Sequence, residues 1–278
     1  MAKIVVTGAS GFLGGALISF LRKNNIDCIG ITRKKSLDLF TVESYEESPL
    51  GDILIHLAEP NNRSDVEERG TKQELACHET FKVLLKKGYR RVIYASSATL
   101  YADCSTTPRK VTDPIEGMDA YTRIKMSSES LALSSGGTVV RLGNLYGPGM
   151  STENVVSHIL NQAGLDRAIT MRSLGPVRDF LWIEDAVTAF LAIIEKRASG
   201  VFNVGSGRGT SIRELVRIVQ SITKKKQDVI ELCPLKESSN LILDIELTKK
   251  TLGWAPKTIL EDGIRKLVET KIEKYVQK

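Results

Sequence analysis

Residues 3–15 read KIVVTGASGFLGG. A short β-branched run, Ile4 to Thr7, opens directly into glycines at 8, 11 and 14, and an apolar helical pattern over Phe12–Asn24 follows. A strand, a glycine-rich turn and a helix in that order aim bare backbone N–H groups and the positive end of the helix dipole at a phosphate. Glycine tolerates positive φ in such a turn and lets a pyrophosphate approach the backbone closely. The spacing is Gly-x-x-Gly-x-x-Gly and no Gly-Lys-Ser/Thr follows, which argues against a nucleotide triphosphatase loop. The stretch therefore predicts the first strand–helix unit of a dinucleotide-binding sheet, with Gly8, Gly11 and Gly14 at the phosphates.

The same rhythm continues downstream. DCIGIT (27–32), DILIHLA (52–58), RVIYAS (91–96), TVVRL (138–142) and VFNVG (201–205) are short and apolar on both faces, as strands buried in a parallel sheet are. Helical patterns separate them at Phe12–Asn24, 66–87, 119–134 and 184–196. The alternation predicts an α/β fold, a doubly wound parallel (Rossmann) sheet. Residues 148–179 and 207–278 keep no steady strand rhythm and read as a smaller C-terminal substrate-binding lobe. The expected division is 1–147 plus 180–206 for the dinucleotide-binding domain and 148–179 plus 207–278 for the lobe.

Composition narrows the class. The chain has 278 residues, 42% hydrophobic and 26% charged, enough to bury a full core. Its net charge of +6 is dispersed, and the densest run, Lys224-Lys225-Lys226, closes a helical pattern where cations suit the dipole. No aromatic residues interleave that run, so no nucleic-acid partner is expected. The N-terminus enters a strand at once, with no charged leader, and no apolar run has membrane-spanning length. Cys28, Cys77, Cys104 and Cys233 are scattered, and His56, His78 and His158 show no zinc spacing. A reduced, cytoplasmic protein without a structural metal or membrane partner is expected.

Chemistry gathers at three further places. The second strand ends GITRKKS, with Thr32, Arg33, Lys34 and Lys35 where NAD sites usually carry an acid. Arg33 is suited to a 2′-phosphate, so NADP(H) is favoured over NAD(H). RVIYASSATLYAD places Ser96 and Ser97 at the C-terminal end of a sheet strand, where open α/β sheets hold their chemistry. Ser97 can hydrogen-bond a substrate carbonyl or alcohol there. Finally, YTRIK (121–125) sets Tyr121 and Lys125 one helical turn apart. A cation at that distance favours the phenolate and suits the tyrosine to proton transfer.

With TGASGFLG (7–14), HLA (56–58), SSATLY (96–101), YTRIK (121–125), RLGNLYGPG (141–149), VRDFLWIEDA (177–186), FNVGSG (202–207) and DIELTKKTLGW (244–254), nearly the whole chain resembles the extended short-chain dehydrogenases, the NAD-dependent epimerase/dehydratase family. The resemblance implies hydride chemistry on a nucleotide-linked sugar by Ser97, Tyr121 and Lys125. It implies cofactor contacts from Gly8, Gly11, Phe12, Leu13, Gly14, Arg33, the Asp38–Leu39 pair, Ala58, Tyr121 and Lys125. Ser97, Thr99, Asn144, Arg178 and Asp244 are the implied substrate contacts, with Asn144 and Arg178 on the diphosphate and Asp244 near the nucleoside. His56 is expected to pack beside the cofactor without titrating. The helices around 66–87 and 119–134 resemble the pair through which relatives form homodimers.

There are departures. Glu59 stands where the family carries a second alanine after His-Leu-Ala, the stretch 59–80 is short, Cys77 replaces a familiar asparagine, and Ala102 replaces a glycine. Sugar dehydratases of the family place Asp-Glu after the serine or threonine; Ala98 and Thr99 occupy those places here, which disfavours dehydration. Two reactions remain: net reduction of an NDP-4-keto-(6-deoxy) sugar, or 4-epimerisation on a retained cofactor. The basic turn at 33–35 tilts the reading toward the reductase, which draws on a reduced pool. A non-enzymatic NADP(H)-binding sensor is the rival of another class, and the presence of both Tyr121 and Lys125 speaks against it.

Overall fold

The computed structural model describes residues 2–102, 105–165, 167–234 and 239–276, the side chains of 271–276 excepted. Cys104 therefore lies outside the described residues. The chain groups into two compact units, one of 1–102, 111–142 and 190–203, the other of 103–110, 143–189 and 204–278.

The first unit starts with β1 (Ile4–Thr7), α1 (Phe12–Lys23), β2 (Cys28–Thr32), β3 (Phe40–Thr41) and β4 (Ile53–His56). It continues with α2 (Arg63–Lys86), β5 (Arg91–Ser97), α3 (Ala120–Ser134) and β6 (Thr138–Leu142). In the second unit follow β7 (Asn144–Tyr146), α4 (Val155–Ala163), β8 (Ile169–Met171) and β9 (Val177–Trp182). Helix α5 (Ile183–Lys196) then leads to β10 (Gly200–Val204), which joins the first sheet. The chain ends with β11 (Gly209–Ser211), α6 (Ile212–Thr223), β12 (Val229–Glu231), β13 (Asn240–Leu241), α7 (Glu246–Leu252) and α8 (Leu260–Val276).

Strand order in the seven-stranded sheet is β10-β6-β5-β4-β1-β2-β3, so the winding reverses between β1 and β4. Pairs β1–β2, β1–β4, β2–β3, β4–β5 and β5–β6 are parallel. Val5, Val6, Leu54, Ile55, Ile93, Val139 and Val140 are fully buried, which is why these strands carry no alternating polar face. Arg91 donates from its guanidinium to the carbonyls of Ile193 and Ile194, satisfying the C-terminal end of α5.

Helix α2 begins three residues before the expected 66, because the Asn62 side chain accepts from the N–H groups of Ser64 and Asp65. It is not continuous: Gly70 sits at φ 48°, ψ −133° and kinks it. Only glycine adopts that backbone without strain, and its own Cβ position is open space. In the second unit β9 is the spine of a small sheet, flanked by β11 antiparallel and by β13 and β7 parallel. Asp179 on β9 is buried and accepts from the backbone N–H of Ser206, Gly207 and Leu243, tying two segments to that strand.

Candidate active site

The turn after β1 is shaped by its glycines. Gly8 has φ 71°, and a Cβ there would lie 2.8 Å from Leu57 C and O and 3.0 Å from Ala58 N, so Ala58 closes directly on the turn. A Cβ on Gly14 would stand 2.2 Å from Gly8 O. Helix α1 starts at Phe12 behind Gly11, with no side-chain cap among the described residues and no acid in its first turn. The N–H groups of Phe12 and Leu13 and the positive helix end thus belong to a tight, uncapped turn, which fits a pyrophosphate. Thr32 at the end of β2 donates to Ser10 Oγ at 2.9 Å and fixes that strand end against the turn. Arg33 follows, exposed, its guanidinium 5.5 Å from the Tyr45 ring centroid. Asp38 and Leu39 lie in the segment before β3; the Asp38 carbonyl accepts from Arg22.

At the C-terminal end of β5 the two serines part, as neighbours on a strand do. Ser96 is buried and donates to Glu129 at 2.5 Å, inside an ion pair of Glu129 with Arg141 at 2.7 Å. It belongs to the framework. Ser97 is half-buried, its Oγ 2.9 Å from Thr99 Oγ1 and 3.2 Å from Thr99 N, so it also caps the single helical turn Ala98–Leu100.

Helix α3 is capped by Asp119, which accepts from Thr122 N while Thr122 Oγ1 accepts from Asp119 N. Its sheet-facing side is unusually polar: Thr122, Lys125, Ser128 and Glu129 are buried. Lys125 Nζ donates to Ala95 O on β5 at 2.9 Å and lies 5.8 Å from the Tyr121 ring centroid. Arg63, at the start of α2, stands 5.2 Å over the same ring and pairs with Asp119 at 3.1 Å. Tyr121, Lys125 and the Ser97-bearing strand are thereby gathered in the first unit, and a phenol beside two cations is suited to move a proton.

Glu59, in sequence only a departure from the family pattern, pairs its carboxylate with Lys125 at 2.9 Å. An acid directly beyond the strand run ILIHLA, apolar but for His56, is the available signal. His56, expected beside the cofactor, is fully buried in the core: its Nδ1 lies 2.8 Å from Thr7 Oγ1 and its ring stacks on Phe81 at 4.5 Å. Burial, partly offset by Glu59, lowers its pKa from the usual imidazole range to about 4, so it is neutral.

In the second unit Asn144, Arg178 and Asp244 collect around β9. Asn144 on β7 pairs in register with Phe180, and Arg178 pairs with Leu241 of β13, shortly before Asp244. Arg178 donates to Ser239 O at 2.8 Å and Ser239 Oγ at 2.7 Å, and Asp244 accepts from Glu246 N at 2.9 Å. Among the described residues no cluster of His, Cys, Asp or Glu could hold a metal, and no helix is long and apolar enough to cross a membrane.

The profile of the NAD dependent epimerase/dehydratase family matches residues 4–205, and the chain belongs to that family of nicotinamide-dependent enzymes. It is 26% identical over 305 residues to dTDP-4-dehydro-6-deoxyglucose reductase of Escherichia coli, covering 96% of each chain. Among solved structures it is similar to UDP-glucose 4-epimerase of Thermotoga maritima, with TM-score 0.87 at 24% identity over 98% of this chain and 99% of that one. It is also similar to RMD of Pseudomonas aeruginosa, solved with NADPH, with TM-score 0.86 at 22% identity over 99% and 100%.

Proposed function

We propose that the enzyme reduces a nucleotide-linked 4-keto, 6-deoxy sugar at carbon 4, drawing on NADPH. The carrying observation is Tyr121 on α3 one turn from Lys125, whose ammonium is anchored on the strand that bears Ser97. A bound reduced nicotinamide supplies hydride to the carbonyl carbon. Tyr121 gives its phenolic proton to the carbonyl oxygen, so that C=O becomes CH–OH. The Ser97 hydroxyl donates to the same oxygen and, with Thr99, fixes its place. Lys125 holds the cofactor ribose and supports the tyrosine through charge.

The uncapped glycine turn holds the pyrophosphate, and Arg33 takes the 2′-phosphate. Asn144, Arg178 and Asp244, in the lobe of 148–179 and 207–278 and its border, bind the nucleotide part of the substrate. The free thiols of Cys28, Cys77 and Cys233 suit a reducing cytoplasm. The Escherichia coli reductase supports this reading as a relative over nearly the whole chain.

The test is incubation with a panel of sugar nucleotides and their 4-keto derivatives, with and without NADPH, following reduced-nicotinamide absorbance. Consumption of NADPH only with 4-keto sugars is expected. Tyr121→Phe should lower turnover by ~10²–10⁴-fold with little change in cofactor binding, the range for losing a positioned proton donor. Interconversion of sugar nucleotides without net NADPH consumption would make the protein a 4-epimerase. Cofactor binding without any turnover would make it a sensor.

A further inference from the structure

Glu59 occupies a position where a carboxylate is costly. It lies in the turn after β4 with its side chain 2% exposed, and a buried acid survives only when paired and hydrogen-bonded. Here it is both. One oxygen is 2.9 Å from Lys125 Nζ and accepts from the Tyr94 hydroxyl; the other accepts from the Ser128 hydroxyl at 2.6 Å. Two of the three ammonium N–H bonds of Lys125 are thus directed, to Glu59 and to Ala95 O. The ammonium also lies 5.0 Å from the Tyr94 ring centroid.

The charged and titratable groups around the pair are Tyr121 on α3, Tyr94 on β5, His56 on β4 and Cys77 on α2. His56 is neutral, so Glu59 is the counter-charge to the lysine from every element packed there. Burial works against the Lys125 charge, and Glu59, together with Tyr121 and Cys77, more than offsets it, so the ammonium is held above the usual lysine range. Burial likewise opposes the Glu59 charge, and Lys125, with the Ser128 and Tyr94 hydroxyls, holds the carboxyl below its usual range.

We propose that Glu59 is a positioning residue: its carboxylate fixes the Lys125 ammonium against β5 and keeps it charged inside the first unit. The proposal rests on the reading of Lys125 as the residue that holds the cofactor ribose.

Two measurements test it without any sugar substrate. The first is calorimetric titration of NADPH into wild type, Glu59→Gln and Lys125→Ala at about pH 7 and about pH 9. A buried lysine without its counter-ion gives up its proton in that range, so Glu59→Gln should lose at least about tenfold in affinity from the lower to the higher pH, beyond any wild-type change. A wild-type pH dependence in Glu59→Gln overturns the proposal. If Lys125→Ala itself leaves NADPH affinity unchanged, the reading of Lys125 fails instead, and the second measurement then decides. That measurement is competitive labelling with acetic anhydride, which takes only neutral amines, read by peptide mass spectrometry. Lys125 should become reactive at successively lower pH in the order wild type, Glu59→Asp, Glu59→Gln. A curve shared by wild type and every folded variant overturns the proposal, and Glu59→Asp keeps the test open where Glu59→Gln does not fold.

Discussion

On the proposed reading, cofactor choice falls to a few side chains at the end of β2. Thr32 is fixed by Ser10 of the glycine turn, so the next residue, Arg33, enters solvent beside that turn. Residues 32–35 contain no acid to accept from both adenosine ribose hydroxyls, and an acid there would repel a 2′-phosphate. A charge-assisted hydrogen bond from Arg33 is worth ~1.5–3 kcal/mol, or roughly one to two powers of ten in affinity. NADPH should bind at least about tenfold more tightly than NADH, and Arg33→Ala should erase most of the difference while leaving NADH binding nearly unchanged. Calorimetric titration of both cofactors into both proteins measures it. Equal or tighter NADH binding by wild type would leave Arg33 merely lying over Tyr45, and net reduction would lose its support. Single residues also show what a linear reading misses. Ser96 and Ser97 look alike in sequence, and only the strand's alternation sends one to Glu129 and the other to Thr99. Glu59 and Lys125 are far apart in the chain, so nothing local announces their pairing.

Among elements, the first turn of α1 is the most exacting. Gly14 and Gly15 are neighbours in one helix, yet their surroundings differ. A Cβ on Gly14 meets Gly8 O at 2.2 Å and Ala9 Cα at 2.8 Å, backbone atoms that cannot step aside, whereas a Cβ on Gly15 meets Ala9 O at an ordinary 3.7 Å. Gly14→Ala should destabilise the protein by ~1–3 kcal/mol, as overpacking does, and weaken NADPH binding by spreading the turn. Gly15→Ala should be neutral or stabilise by about 0.5–1 kcal/mol through helix propensity. Urea unfolding with NADPH titration of both variants checks the contrast; equal behaviour would show that the turn yields easily. Elements such as β1, β4, β5 and β6 were legible because each is buried on both faces and carries its own apolar, β-branched run. The sheet around β9 was not. Its partners β11 and β13 have three and two residues, and they are held by pairings and by Asp179 across long stretches of chain, which leave no local period.

For the whole molecule the open quantity is its assembly. Helices α2 and α3 pack along one another and are pinned by polar contacts: Arg123 donates twice to Glu74, at 3.1 and 2.8 Å, His78 Nδ1 lies 2.8 Å from Ser127 Oγ, and Glu67 accepts from Ala120 N at 2.9 Å. Polar contacts of this kind hold the two helices together, so less ordering entropy opposes a partner docking on them. Leu75 on α2 is 61% exposed and Leu133 on α3 is 40% exposed, while Tyr121 is half-buried and Lys125 buried. A second copy meeting this pair with its own would form a four-helix bundle about a two-fold axis. A stable contact of that kind needs about 1,200–2,000 Å² of total buried surface, which two pairs of helices of this length can supply. We therefore expect a homodimer in analytical ultracentrifugation. Leu75→Glu adds a charge to the exposed side of α2 and should shift the protein toward monomer with its fold retained by circular dichroism. A wild-type protein that sediments as a monomer at every concentration would remove the dimer and leave α2 and α3 as a wall of the site alone.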